Sequence, residues 1–225
     1  MRRLTPLLAV SAAPLALLAV APSAPAAPAG VCAGVRHCTV VARVDVDGDG
    51  RRDAVGLVRR GGEGAPVGAV VVRVSTAAGT TATAHRRTEN WSGSLWQGAA
   101  DVDGRPGREL FVGYTQGAHA ELFHALTWKQ GDLRTRQAPG RGIQWLVDGA
   151  AQYVAGWQQR ATDPPGTIRQ RRASLDASLD SWTGTVKTYR WSADGWQRIH
   201  AVTRTLTNEQ AARWAGFRIP GLETF

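Results

Sequence analysis

Four aspartates fall within nine residues in the stretch VDVDGDGRRDAVGLV, which runs from Val44 to Val58. Asp45, Asp47 and Asp49 alternate, Gly50 follows the third, and Asp53 closes the run after two arginines. Carboxylates this close repel one another unless a cation sits among them. Calcium takes roughly six to eight oxygen ligands, and a tight loop can supply them from alternate residues if glycine lets the backbone turn. Counted from Asp45, carboxylates stand at positions one, three, five and nine, and the carbonyl of Arg51 is available at seven. The expected ligand set for Ca2+ is therefore Asp45, Asp47, Asp49, the Arg51 carbonyl and Asp53.

An EF-hand would place a bidentate Glu at position twelve, where this chain has Gly56, and would put helices on both sides. The flanks here, VVARV and AVGLV, have the β-branched composition of strands. The stretch resembles the calcium loop of the FG-GAP/VCBS repeat family, whose D-x-[DN]-x-D-G-x-x-D motif joins two strands in integrin-α-type propellers. That resemblance implies a secreted, bacterial-type, non-catalytic protein with a structural Ca2+ that binds at a cell surface or in the extracellular matrix.

The motif weakens along the chain. In ADVDGRPGRELFVGY, Asp101, Asp103 and Glu109 match positions one, three and nine, but Arg105 stands at five and Pro106 replaces the glycine. A guanidinium stands where a ligand is needed, so this loop is expected to keep the turn and lose the metal. In LVDGAAQYVAGW only Asp148 remains.

The elements around these loops have the period of strands. TVVARVDV, DAVGLVRR, GAVVVRVS, ELFVGYTQ, AELFHALTW and TVKTYRWS are short, β-branched or aromatic, and separated by Gly-rich turns. Hairpins are expected to turn at Gly79, Gly131 and Gly195. Each is preceded by a Val-Asp-Gly triplet, at Val46, Val102 and Val147, so the chain reads as three β units. Propellers need about four to eight blades, which leaves a partial propeller or a sandwich-like packing. One late helix is expected over EQAARWAGF, capped by Asn208. The fold expected is all-β: short antiparallel sheets in repeated units, a short C-terminal helix, and a single domain over 27–225.

The first 26 residues read as a secretory signal peptide: a basic start at Arg2 and Arg3, an apolar run from Leu7 to Val20, and Ala24-Pro25-Ala26 as cleavage site. Nothing later approaches the roughly 20 apolar residues of a membrane span. Cys32 and Cys38 are the chain's two cysteines, and in an oxidising compartment they are expected to pair and pin the N-terminus. With His37 they match no structural zinc spacing. The net charge of +9 comes almost wholly from arginine, dispersed in pairs such as Arg51-Arg52 and Arg86-Arg87. Such charge favours anionic surfaces, with a cell-wall polymer, glycan or surface protein as expected partner of a monomer. No basic stripe marks a nucleic-acid site.

Catalytic patterns are sparse. His119, Glu121 and His124 lack the H-E-x-x-H spacing, and no G-x-S-x-G elbow or P-loop occurs. Glu63, Glu89, Glu109 and Glu121 could pair only through the fold, which keeps a small secreted hydrolase acting on cell wall or glycan as the alternative. A carbohydrate-binding module is the third reading, because nine Trp are present and exposed indoles stack on sugars. Core packing is the leading role for the tryptophans: Trp128 and Trp191, at matching places before hairpin turns, are expected to pack, and Trp91 and Trp96 are the better candidates for exposure.

Overall fold

The computed structural model describes residues 30–224 apart from Arg141 and Ile143; the expected leader lies outside the described residues. The first unit is an antiparallel meander of β1 (Cys38–Val44), β2 (Asp53–Arg60), β3 (Gly68–Ser75) and β4 (Thr81–Thr88). The second repeats it with β5 (Trp96–Ala100), β6 (Glu109–Gln116), β7 (Ala120–Lys129) and β8 (Asp132–Arg136). The third runs through β9 (Trp145–Gly149), β10 (Tyr153–Gln158), β11 (Thr167–Leu175), β12 (Trp182–Ser192) and β13 (Gly195–Leu206). All three expected hairpins form, as β3/β4, β7/β8 and β12/β13, and Gly79, Gly131 and Gly195 take the positive φ their turns require.

The chain is all-β. The first unit is a separate four-stranded sheet, whereas the second and third share one sheet of ten strands because β9 pairs with β7. The path from β13 to β5 leaves that sheet open. Short α1 (Asn208–Ala212) and β14 (Gly216–Arg218) complete it. The helix cap is Thr207, not Asn208: its hydroxyl accepts from Gln210 N–H while the Gln210 side chain accepts from Thr207 N–H. This reciprocal box satisfies two otherwise orphaned donors, and Asn208 is left to accept from the indole of Trp182. No helix among the described residues is long and apolar enough to cross a membrane.

The main core draws on every unit. Val55, Val70 and Val72 meet Leu110, Phe111 and Phe123, then Trp145, Trp157 and Ile168. Phe217 of β14 packs edge-on against Phe111 at 5.7 Å and Phe123 at 5.2 Å, an arrangement the ring quadrupoles favour. A smaller cluster, with Trp182, Val186 and Trp214, lies under α1. The disulfide Cys32–Cys38 is present and sits over Gly56 of β2, where a side chain would meet both sulfurs at 3.0 Å.

Candidate metal centre

The loop between β1 and β2 brings the carboxylates of Asp45, Asp47 and Asp49 within 4.8 Å of one another. Backbone N–H groups shape it: Asp45 accepts from Gly48 at 2.7 Å and Gly50 at 2.9 Å, and Asp47 accepts from Asp49 at 3.2 Å. Each carboxylate oxygen has a second lone pair, so these bonds leave capacity for a cation. Asp49 also pairs with Arg51, whose guanidinium lies 2.6 Å away and holds the Asp49 carboxyl below its ordinary range. Asp47 moves the other way. Burial raises its pKa, and the neighbouring charges of Asp53, Asp49 and Asp45 add to the rise. The donor set is thus all hard oxygen, crowded and short of positive charge, which fits a dication.

Asp53 stands apart from that group of three. It is fully buried at the start of β2, where Oδ2 accepts from the N–H of Val46 at 2.7 Å and of Asp47 at 3.3 Å, and Oδ1 accepts from Ala77 at 2.8 Å. These bonds tie the acidic loop to the β3–β4 turn. Arg51 N–H donates to Asp49 at 2.8 Å.

The loop between β5 and β6 reproduces this frame residue by residue. Val44 pairs with Asp53 across the first strands, and Ala100 with Glu109 across the second. Gly104 N–H donates to Asp101 at 2.7 Å as Gly48 does to Asp45, and Val102 N–H donates to Glu109 at 3.1 Å as Val46 does to Asp53. Asp101, Asp103 and Glu109 again lie within 4.8 Å. The cation supplied there by the protein is Arg136 of β8, with Nη2 2.6 Å from Asp103 and Nε 4.0 Å from Glu109. The contact with Asp103 is one of charge rather than a directional hydrogen bond. Arg105, the guanidinium at the fifth loop position, makes no ion pair among the described residues and lies over the Trp191 ring at 5.7 Å. A residue 28 positions beyond the end of the loop at Arg108 carries no local signal of its role; only the return of β8 alongside β7 brings it in.

The loops also pack on one another. A side chain at Gly48 would meet Pro106 at 2.6 Å, Arg108 N–H donates to the Asp45 carbonyl at 3.0 Å, and a side chain at Gly104 would meet Gly166 at 2.5 Å. All three units therefore touch through glycine-thin contacts at the acidic loops.

The other singled-out residues disperse. His124 is buried with Nε2 3.2 Å from the Arg87 carbonyl, its pKa lowered by burial; His119 stands 3.9 Å from Asp148; Glu121 accepts from Gln116. Glu63 accepts from Gly93 N–H and Glu89 pairs with Arg87. The tryptophans follow expectation only in part. Trp91 is buried, edge-on to Phe123 and roofed by Gly113, and Trp96 is partly buried against the main core. Trp128 packs against the main core and Trp191 edge-on against Trp196, as expected, and both also line an open recess. The Ser/Gly-rich context of Trp91 suggested exposure, but the strand β6 passes over it.

No family model and no curated protein matches this chain. Among solved structures, one described as a Xanthomonas type IV secretion system related protein is similar at a TM-score of 0.32 and 11% identity, over 74% of this chain and 95% of that one.

Proposed function

We propose that the protein is a secreted, calcium-stabilised binding module of FG-GAP/VCBS type, acting at a cell surface or in the extracellular matrix with no chemistry of its own. The observation that carries this reading is the approach of Asp45, Asp47 and Asp49 to within 4.8 Å on a strand-to-strand loop. Those three side chains and the Arg51 carbonyl would hold the ion, and Asp53 would close the loop around it. Calcium there neutralises the carboxylates and fixes β1 to β2. The Cys32–Cys38 disulfide is in keeping with an oxidising compartment.

Extracellular modules of this kind bind calcium with a dissociation constant of about 0.1–1 mM. The unfolded chain cannot preform the site, so millimolar calcium should raise the melting temperature, and Asp49→Ala should abolish that rise. Calorimetry with no calcium heat, together with an unchanged melting temperature, would sink the proposal.

A further inference from the structure

A recess of 700 Å³ opens where the second acidic loop, the β7–β8 hairpin and the β12–β13 hairpin meet. Its volume lies in the range of small-ligand sites, roughly 300–1,000 Å³. Four cations line it, Arg105, Lys129, Arg134 and Arg136, together with the indoles of Trp128 and Trp191, and no carboxylate does. Two of the cations are already balanced: Arg136 by Asp103 and Glu109 beneath the floor, and Arg134 by Asp132 at 2.9 Å. Arg105 and Lys129 make no ion pair among the described residues, so the mouth keeps two uncompensated positive charges.

Part of the wall is braced by its own contacts. Arg136 lies 3.9 Å over the Trp191 ring, and Trp191 meets Trp196 edge-on at 5.1 Å. Trp128 packs against the main core and remains partly exposed. Indoles bury the C–H faces of a sugar ring, neutral groups such as Gln130 and Thr135 suit its hydroxyls, and two free cations suit a carboxylate. A nucleic acid fits less well, because its affinity comes from neutralising many phosphates along a strand.

We infer that this recess binds a short acidic saccharide segment, with Arg105 and Lys129 pairing its carboxylates and Trp128 packing against a ring. The inference rests on the surface-binding reading above and names the surface and the ligand class. It also accounts for Arg105 at the fifth loop position, where the first loop has Asp49: the side chain serves the recess instead of a metal.

The test is calorimetric titration of the full secreted protein, with calcium present, using oligogalacturonate, neutral maltohexaose and a single-stranded oligodeoxynucleotide. Oligogalacturonate should bind and maltohexaose should not. The double variant Arg105→Gln/Lys129→Gln, both side chains being outside the core, should keep the wild-type melting temperature and bind about tenfold more weakly, as expected for two partly solvated charge contacts. Trp128→Ala should weaken binding by a similar factor. Failure of oligogalacturonate to bind, or equal binding by the double variant, overturns the inference, and tighter binding of the oligodeoxynucleotide overturns the saccharide assignment. Retention of cell-wall material by the double variant at wild-type level would remove the recess from the account while leaving the surface-binding proposal standing.

Discussion

Two loops of one chain face the same electrostatic problem. In the second, Arg136 brings a guanidinium to within 2.6 Å of Asp103, and a buried charge left without such a partner costs several kcal/mol. In the first, Arg51 reaches only Asp49 and leaves Asp47 among like charges, which is the charge calcium is proposed to balance. Glu109 shows how incomplete the guanidinium's compensation is. Burial first, and then the Asp103 charge, push its carboxyl up to about 7, against the pull of the Val102 N–H, the Thr127 hydroxyl and Arg136. The folded value lies above the ordinary 4.5, so the folded chain holds the proton more tightly, and this contribution to stability is lost as pH rises from 4.5 through about 7. Urea titrations should show wild type losing on the order of 3 kcal/mol relative to Glu109→Gln between those limits. The comparison must be with the variant, because His124, whose pKa is lowered, contributes a slope of the opposite sign near its ordinary 6.5. A difference that stays flat with pH would mean that Glu109 titrates alike in the folded and unfolded chain.

Among the elements, the short C-terminal segment has consequences beyond its length. After α1 the chain lays β14 parallel to β10, then runs back along β5, where Ala99 N–H donates to Gly221 at 3.0 Å and Glu223 N–H to Gln97 at 2.9 Å. It thereby joins the third unit to the first strand of the second, and Phe217 fills the space between two core phenylalanines. A cavity there cannot collapse easily, because it is bounded by strands of both units. Phe217→Ala should cost about 3–5 kcal/mol in urea denaturation. A loss under 1 kcal/mol would show that the tail lies on the sheet without stapling it.

For the molecule as a whole, the acidic loops are the places where units meet. Loop one backs onto Pro106 and Arg108 of loop two, and loop two supplies Arg105 and Pro106 to the recess. Calcium in the first loop would therefore stiffen a wall of a site it does not touch. A chelator should lower the melting temperature and weaken oligogalacturonate binding together, and Asp49→Ala should reproduce both effects in the presence of calcium. The binding loss should be modest, a few-fold, because the coupling passes through packing and not through a shared ligand. Unchanged affinity beside a lowered melting temperature would show that the units respond independently.

Much of this architecture is written locally. The strands β1, β2, β3, β6, β7 and β12 follow from short β-branched or aromatic runs, the three hairpin turns from glycines that readily take positive φ, and the disulfide from two cysteines a short loop apart. The gathering of Asp45, Asp47 and Asp49 is equally local, because their spacing puts them on one turn. Strands such as β11, TIRQRRASL, carry no such signal because charges interrupt both faces; a buried Arg171 reads as exposed until its neighbours are known. Which cation answers the second loop, how far each tryptophan is buried, and whether the units stand apart or merge depend on contacts between residues far apart in the chain. Arg136 reaches Asp103 from another strand, Trp91 is covered by β6, and β9 finds its partner in β7. Residue types and short spacings prescribe turns and strand periods, whereas burial and charge pairing belong to the neighbours that only the folded chain assembles.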